Sequence, residues 1–242
     1  ALEQPQPGDV LVLTKPLGTG VLAFSQQIGR GHAEGLAAAQ TAMATLNRGA
    51  AEAMLVAGAT ACTDVTGFGL FAHLMRMLRA SGWAAQVFAE SLPAFPGAIE
   101  ALRLGVVPGA IERNREYVGD MIRVAPGVDE ARVNLGFDAQ TSGGLLIAVP
   151  PARLSDLHRQ LAQRGVAGAV VGRIVPRTDV LIEVVATDAA AGSTPDTANA
   201  MNPPATPETH SPDCCADVFG SGSSTGTCHD GGRRGLGKID DD

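Results

Sequence analysis

The sequence predicts an α+β fold, with helices packed on a small mixed or antiparallel sheet and a disordered C-terminal tail. Three observations carry this. Short apolar runs of strand character alternate with stretches of helical spacing, but without the strict βαβα order of a doubly wound sheet. The helical stretches are amphipathic, so each needs a sheet or another helix to cover its apolar face. From about Ala186 onward the periodicity stops, and Ala, Thr, Pro, Ser, Gly and Asp dominate.

In chain order, Val10 to Thr14 is apolar and bounded by Gly8-Asp9 and Pro16, a predicted strand. A helix is expected from Thr19, carrying Val21, Leu22 and Ile28. Leu36, Ala39, Met43 and Leu46 recur at helical spacing over 33–46, and Asn47-Arg48-Gly49 breaks the pattern before it resumes over 50–56. After Gly67, Phe71, Leu74, Met75 and Leu78 share a helical face that ends near Ser81-Gly82. Residues 83–88 read as a strand, 98–104 as a short helix in a Pro- and Gly-rich stretch, and 143–149 as a strand. Residues 151–164 read as a helix, 167–175 as a strand, and 180–185 as a last strand. The resulting organisation is a linker over 1–9, a domain over 10–186 and a low-complexity tail over 187–242. The opening Ala-Leu-Glu-Gln-Pro-Gln-Pro-Gly-Asp lacks a Met and reads as a linker entering a strand, which suggests the C-terminal part of a longer protein.

The 242 residues suffice for one good core, and 45% hydrophobic content supports one. Aromatics are only 4%, so Ala, Val, Leu, Ile and Met must fill it. The net charge of −7 argues against general nucleic-acid binding. No run reaches the ~18 apolar residues of a membrane helix. Of four cysteines, only Cys62 lies in the body, which argues for a reducing, cytoplasmic compartment and against a disulfide framework.

Five segments carry candidate chemistry. In Thr63-Asp64-Val65-Thr66-Gly67-Phe68-Gly69 a carboxylate precedes a helix start rich in glycine. Unpaired N–H groups at such a start favour an anion, and an acid beside it suits Mg²⁺ that accompanies phosphate. On spacing alone Asp64 reads either as a helix cap, a role Thr66 fills equally, or as a metal ligand. The glycines suit either close approach of a ligand or plain turn geometry. In Thr14-Lys15-Pro16-Leu17-Gly18-Thr19-Gly20 the body's one lysine is a phosphate contact or a solvated side chain on an ordinary turn; this is not a Walker A motif. Asp138-Ala139-Gln140-Thr141-Ser142-Gly143-Gly144 is a polar loop entering a buried strand, and no histidine lies nearby to activate a serine. In Pro108-Gly109-Ala110-Ile111-Glu112-Arg113-Asn114-Arg115 two arginines meet an anion or line a solvated helix face. In the tail, Cys214, Cys215, Cys228 and His229 read as zinc donors or as disordered chain, and their spacing is not that of a zinc knuckle. His32, His73 and His158 form no ligand-spaced pair and read as structural or solvated.

The run Gly8 to Gly20, Cys62 to Leu70, Pro108-Gly109 with Arg113-Asn114, and Gln140 to Leu146, in this order, resembles the C-terminal half of the selenophosphate synthetase (selenide, water dikinase) family, within the aminoimidazole-ribonucleotide synthetase superfamily. The resemblance spans roughly Gly8 to Val185. It implies conversion of selenide, ATP and water into selenophosphate, AMP and phosphate by a Mg²⁺-dependent homodimer whose N-terminal domain binds ATP. It also implies that Asp64 is one metal ligand. The family's reactive Cys or selenocysteine and its neighbouring lysine fall outside this chain, so no catalytic or ATP-binding residue is assigned here, and the chain alone is expected to be inactive. Cys62 is not that nucleophile. Ala139 stands where the family usually has proline. Another synthetase of the superfamily, or a non-catalytic domain that pairs with a separate ATP-binding chain, are the alternative readings.

Overall fold

The computed structural model describes residues 4–188. Among them a seven-stranded mixed sheet forms in the order β2-β5-β1-β6-β3-β7-β4. Its strands are β1 (Val10–Leu13), β2 (Ala61–Asp64), β3 (Trp83–Phe88), β4 (Ile122–Val124), β5 (Leu145–Val149), β6 (Ala169–Pro176) and β7 (Ile182–Val185). The pairs made by β1, β5, β6 and β2 are antiparallel, while β7 runs parallel to both β3 and β4. The helices are α1 (Thr19–Gln27), α2 (Ala33–Ala44), α3 (Arg48–Ala57), α4 (Gly69–Arg79), α5 (Ala98–Arg103), α6 (Gly109–Val118), α7 (Glu130–Phe137) and α8 (Leu154–Ala162).

Strand alternation divides the core in two. Leu11 and Leu13 of β1, with Leu146 and Ala148 of β5, point into the large cluster beneath α1, α4, α5 and α7. Val12, Ile147 and Val149 point the other way, onto α3 and α8 through Ala53, Met54, Leu157 and Leu161. Alanines on α3 allow α8 to approach closely, and Leu157 and Leu161 are buried from α8. Beyond α3 and α8 the same side of the sheet is polar. Arg173 of β6 donates to Gln86 of β3, Gln86 donates to Glu183 of β7, and Arg123 of β4 lies 3.8 Å from Glu183. Register pairs Gln86 with both Arg173 and Glu183, and Arg123 with Glu183. One row of side chains thus crosses four strands with opposite or neutral neighbours.

The expected fold class holds, and the expected elements form within a few residues of their predicted ends. Four elements had no predicted range: β2, β4, α7 and α6, the last foreseen only as a helix face over 108–115. The segment Ala-Cys-Thr-Asp of β2 has no apolar run, and it becomes a strand through its pairing with β5. β4 has three residues and leans on β7. α7 is capped by Asp129, whose carboxylate accepts from the Ala131 N–H at 3.0 Å. At the end of the second predicted helix, Leu46 lies outside α2 and is 80% exposed, so it contributes nothing to the core. Most of the predicted tail, with Cys214, Cys215, Cys228 and His229, lies outside the described residues.

Candidate functional site

Asp64 ends β2, a short strand at one edge of the sheet, and precedes the turn that starts α4. Its side chain is 60% exposed. It does not cap α4, because that helix starts at Gly69 with no side-chain cap. The cap reading is therefore set aside in favour of a carboxylate presented to solvent.

The turn behind it is tightly tied. The Val65 N–H donates to the Gly144 carbonyl, the Gln140 N–H to the Thr66 carbonyl, and the Gly69 N–H to the Thr66 carbonyl, all at 2.9–3.1 Å. The Asn114 side chain, from α6, donates to the carbonyls of Gly67 (3.0 Å) and Phe137 (2.9 Å). Three of the sequence segments therefore converge on the Asp64 turn. The motif glycines serve this convergence. A Cβ on Gly143 would sit 2.1 Å from the Val65 carbonyl oxygen, and one on Gly144 would sit 2.6 Å from the Lys15 nitrogen. Gly69 adopts φ +75° with the Phe137 carbonyl 2.8 Å from where a Cβ would stand. Gly67 differs: it is exposed, its φ is not left-handed, and a Cβ there would meet nothing within 4 Å.

His73, one turn into α4, reads from the sequence only as structural or solvated, not as part of the site. It is buried, with Nδ1 3.7 Å from Asp64 Oδ1. Nε2 accepts from the Thr66 N–H at 3.2 Å and lies 3.0 Å from the Thr66 hydroxyl. Burial lowers the His73 pKa; Asp64 opposes that shift and Arg76 adds to it. Its spacing from Asp64, across a turn and into a helix, matches no ligand motif, so pattern reading passes over it.

Lys15 is neither a phosphate contact nor solvated. It is 9% exposed and donates to the carbonyls of Ala42 (2.8 Å), Thr45 (2.7 Å) and Ser142 (2.9 Å). The ammonium thus sits at the negative end of α2 and clamps the 141–144 loop. Burial lowers its pKa. Ser142, on that loop, has φ +48° and no catalytic partner among the described residues. Below the loop, Gln140 Oε1 accepts from the Gly18 N–H at 3.1 Å, while the Thr19 hydroxyl accepts from the Thr141 N–H at 3.0 Å. Asp138 Oδ2 accepts from the Gly20 N–H and the Gln140 amide. Among the described residues Oδ1 of Asp138 is buried without a hydrogen-bond partner, although nearby N–H groups of Val21 and Ala139 favour the carboxyl's charge. Desolvation wins, and the carboxyl is pushed up to about 7.

Of the two candidate arginines, Arg115 is held by Glu130 and Asn134 and stacks over the Phe137 ring, whereas Arg113 is exposed. The useful residue of that segment is Asn114 between them. Phe68 and Tyr117 are both exposed and stack on one another, ring centroids 5.3 Å apart. His32 caps α2 through Nδ1, and His158 is exposed, its pKa lowered by partial desolvation. The Cys62 thiol is pushed up to about 12 by desolvation and by Asp64, so it stays protonated and is a poor nucleophile.

Among the described residues no group of three His, Cys, Asp or Glu side chains could hold a metal ion. Asp64 nevertheless fits one place in the coordination of a hard cation. It is an exposed carboxylate, with no Lys or Arg ion pair among the described residues, on a turn fixed by main-chain hydrogen bonds. Mg²⁺ takes one or two protein carboxylates and fills its octahedron with water and phosphate oxygens.

A family profile described as "AIR synthase related protein, C-terminal domain" matches residues 6–185. Proteins named "Selenide, water dikinase" are similar over about three quarters of the chain. That of Caldanaerobacter subterraneus subsp. tengcongensis is 39% identical over 180 residues, covering 74% of this chain and 52% of the relative. That of Trichlorobacter lovleyi is 38% identical over 181 residues, with 74% and 52% covered. The chain therefore spans about half the length of these relatives. Among solved structures, E. coli HypE superposes with a TM-score of 0.50 at 21% identity, covering 73% of this chain and 47% of that one. A chain of a HypE–HypF complex gives 0.50 at 14%, covering 76% and 52%. These two likenesses establish a shared fold.

Proposed function

The chain belongs to the AIR synthase related family, through its C-terminal domain, and from that premise we propose that it is the C-terminal half of a selenophosphate synthetase. The observation that carries this is the 39% identity with a selenide, water dikinase over 180 residues. The Asp64 turn, with the loops that fix it, lies within that stretch. The whole protein is read as a cytoplasmic homodimer that converts selenide, ATP and water into selenophosphate, AMP and phosphate.

In this reading Asp64 provides one oxygen ligand to Mg²⁺. The bound cation would offset negative charge on the ATP phosphates, where positioning and electrostatics supply most of the catalysis. The contribution of this chain is rigidity. Gly144, Gln140 and Asn114 fix the main chain just after Asp64, at Val65, Thr66 and Gly67, so the carboxylate needs little reorganisation when the cation arrives. Gly67 leaves the surface beside Asp64 without a side chain, which suits close approach of a phosphate-bearing ligand.

The residues that activate selenide and bind the nucleotide belong to the half that the relatives carry and this chain does not. The purified chain is therefore expected to release no AMP from ATP and selenide, and selenide-dependent release would overturn the reading. A hybrid in which this chain replaces the second half of the Caldanaerobacter relative tests the site itself. Asp64→Asn in that hybrid should lower the rate at least roughly 10²-fold, as loss of a preorganised charge-stabilising group does. An undiminished rate would remove Asp64 from the metal site.

A further inference from the structure

We infer that His73 orients the Asp64 carboxylate as a hydrogen-bond donor and is itself no metal ligand. This deepens the reading above and rests on Asp64 as an oxygen ligand.

The argument turns on which ring nitrogen carries the proton. The Thr66 main-chain N–H points at Nε2 from 3.2 Å. A backbone amide can only donate, so Nε2 must present its lone pair. That excludes the doubly protonated ring and places the proton of the neutral ring on Nδ1. The Thr66 hydroxyl, 3.0 Å from the same nitrogen, is free to donate to it as well. Nδ1–H then faces Asp64 Oδ1 at 3.7 Å. This is longer than a direct hydrogen bond. The two partners differ in freedom, however: the histidine side chain is 7% exposed and the aspartate 60%. The ring is fixed by α4 and Thr66, and rotation of the exposed carboxylate closes the gap.

A metal-ligating histidine needs an unprotonated nitrogen aimed at the cation. Here the unprotonated nitrogen is taken by Thr66 and the nitrogen aimed at Asp64 bears a hydrogen. The Asp–His pair is therefore not a chelating pair. With Oδ1 drawn toward Nδ1–H, Oδ2 is left for the cation. This is the arrangement by which outer partners orient ligating carboxylates, and removing them typically costs 10–100-fold in metal affinity.

The test uses the ¹⁵N-labelled 242-residue chain. Long-range proton–nitrogen correlation of the imidazoles, with His73 assigned by difference from His73→Asn, should show the Nδ1–H tautomer. In parallel, Mn²⁺ is titrated while paramagnetic broadening is followed at the amides of Thr63 to Gly67. The wild-type chain should broaden there, and Asp64→Asn should not. His73→Phe should require about tenfold more Mn²⁺. His73→Asn, whose amide nitrogen stands near the place of Nδ1, should recover most of the loss. An Nε2–H tautomer, or wild-type Mn²⁺ affinity in His73→Phe, overturns the inference and leaves Asp64 as a ligand. Absence of broadening in the wild-type chain overturns the Asp64 reading and this inference with it. The tautomer is read in the unmutated chain, and either His73→Asn or His73→Phe supplies the assigning difference, so one variant that fails to fold does not spare the proposal.

Discussion

Asp138 is a carboxyl with no solvent exposure, and burial pushes it up to about 7 from 3.8. The consequence for stability has a definite sign. An acid whose pKa is raised on folding holds its proton more tightly in the native state. Its favourable contribution is complete below 3.8 and is lost as pH rises toward 7. Urea melts at a series of pH values should therefore show stability falling across that window. Asp138→Asn, which keeps the shape and one acceptor for the Gly20 N–H, should flatten the slope. An unchanged slope in that variant would mean another group titrates. Lys15 shows the complementary solution to burial. Its three protons meet three main-chain carbonyls, so the charge is satisfied by dipoles without a carboxylate.

Among the elements, the turn between β2 and α4 shows how two glycines in one motif do different work. Gly69 holds φ +75° with the Phe137 carbonyl pressed against it. Gly69→Ala combines left-handed strain with a backbone clash and should cost roughly 2–4 kcal/mol in denaturant unfolding. Gly67→Ala puts a methyl into open space and should stay within about 0.5 kcal/mol. Equal losses at the two sites would contradict the geometry. The same turn shows which elements local sequence discloses. α4 was legible because Leu70, Phe71, Leu74, Met75 and Leu78 repeat at helical spacing, and all are buried. β2 was not, because four residues whose only apolar members are the adjacent Ala61 and Cys62 have no periodicity of their own. It is a strand only because β5 offers a partner at Leu145 to Ala148. α7 carried a readable cap in Asp129, but its apolar residues Val133, Leu135 and Phe137 do not form a helical stripe on their own. They are buried from several sides at once, which removes the pattern.

Across the described residues the sheet divides two cores of unequal size. The larger lies under α1, α4, α5 and α7, and the smaller holds α3 and α8. Leu157 is fully buried in the smaller one. Leu157→Ala should cost about 2–5 kcal/mol, measured by urea unfolding. A loss under about 1 kcal/mol would mean that α3 and α8 pack more loosely than their burial indicates. Composition and periodicity were enough to determine an α+β domain with most of its helices and strands, because amphipathic spacing is a local property of the chain. The ordered motifs likewise determined the family resemblance and drew attention to Asp64. Tertiary structure alone decided that Lys15 serves helix α2 and the 141–144 loop, that Asn114 and not its neighbouring arginines ties down the Asp64 turn, and that His73 stands behind Asp64. Each of those roles depends on groups far apart in sequence meeting at hydrogen-bond distance, and such contacts are fixed by how the layers pack, which no local pattern records.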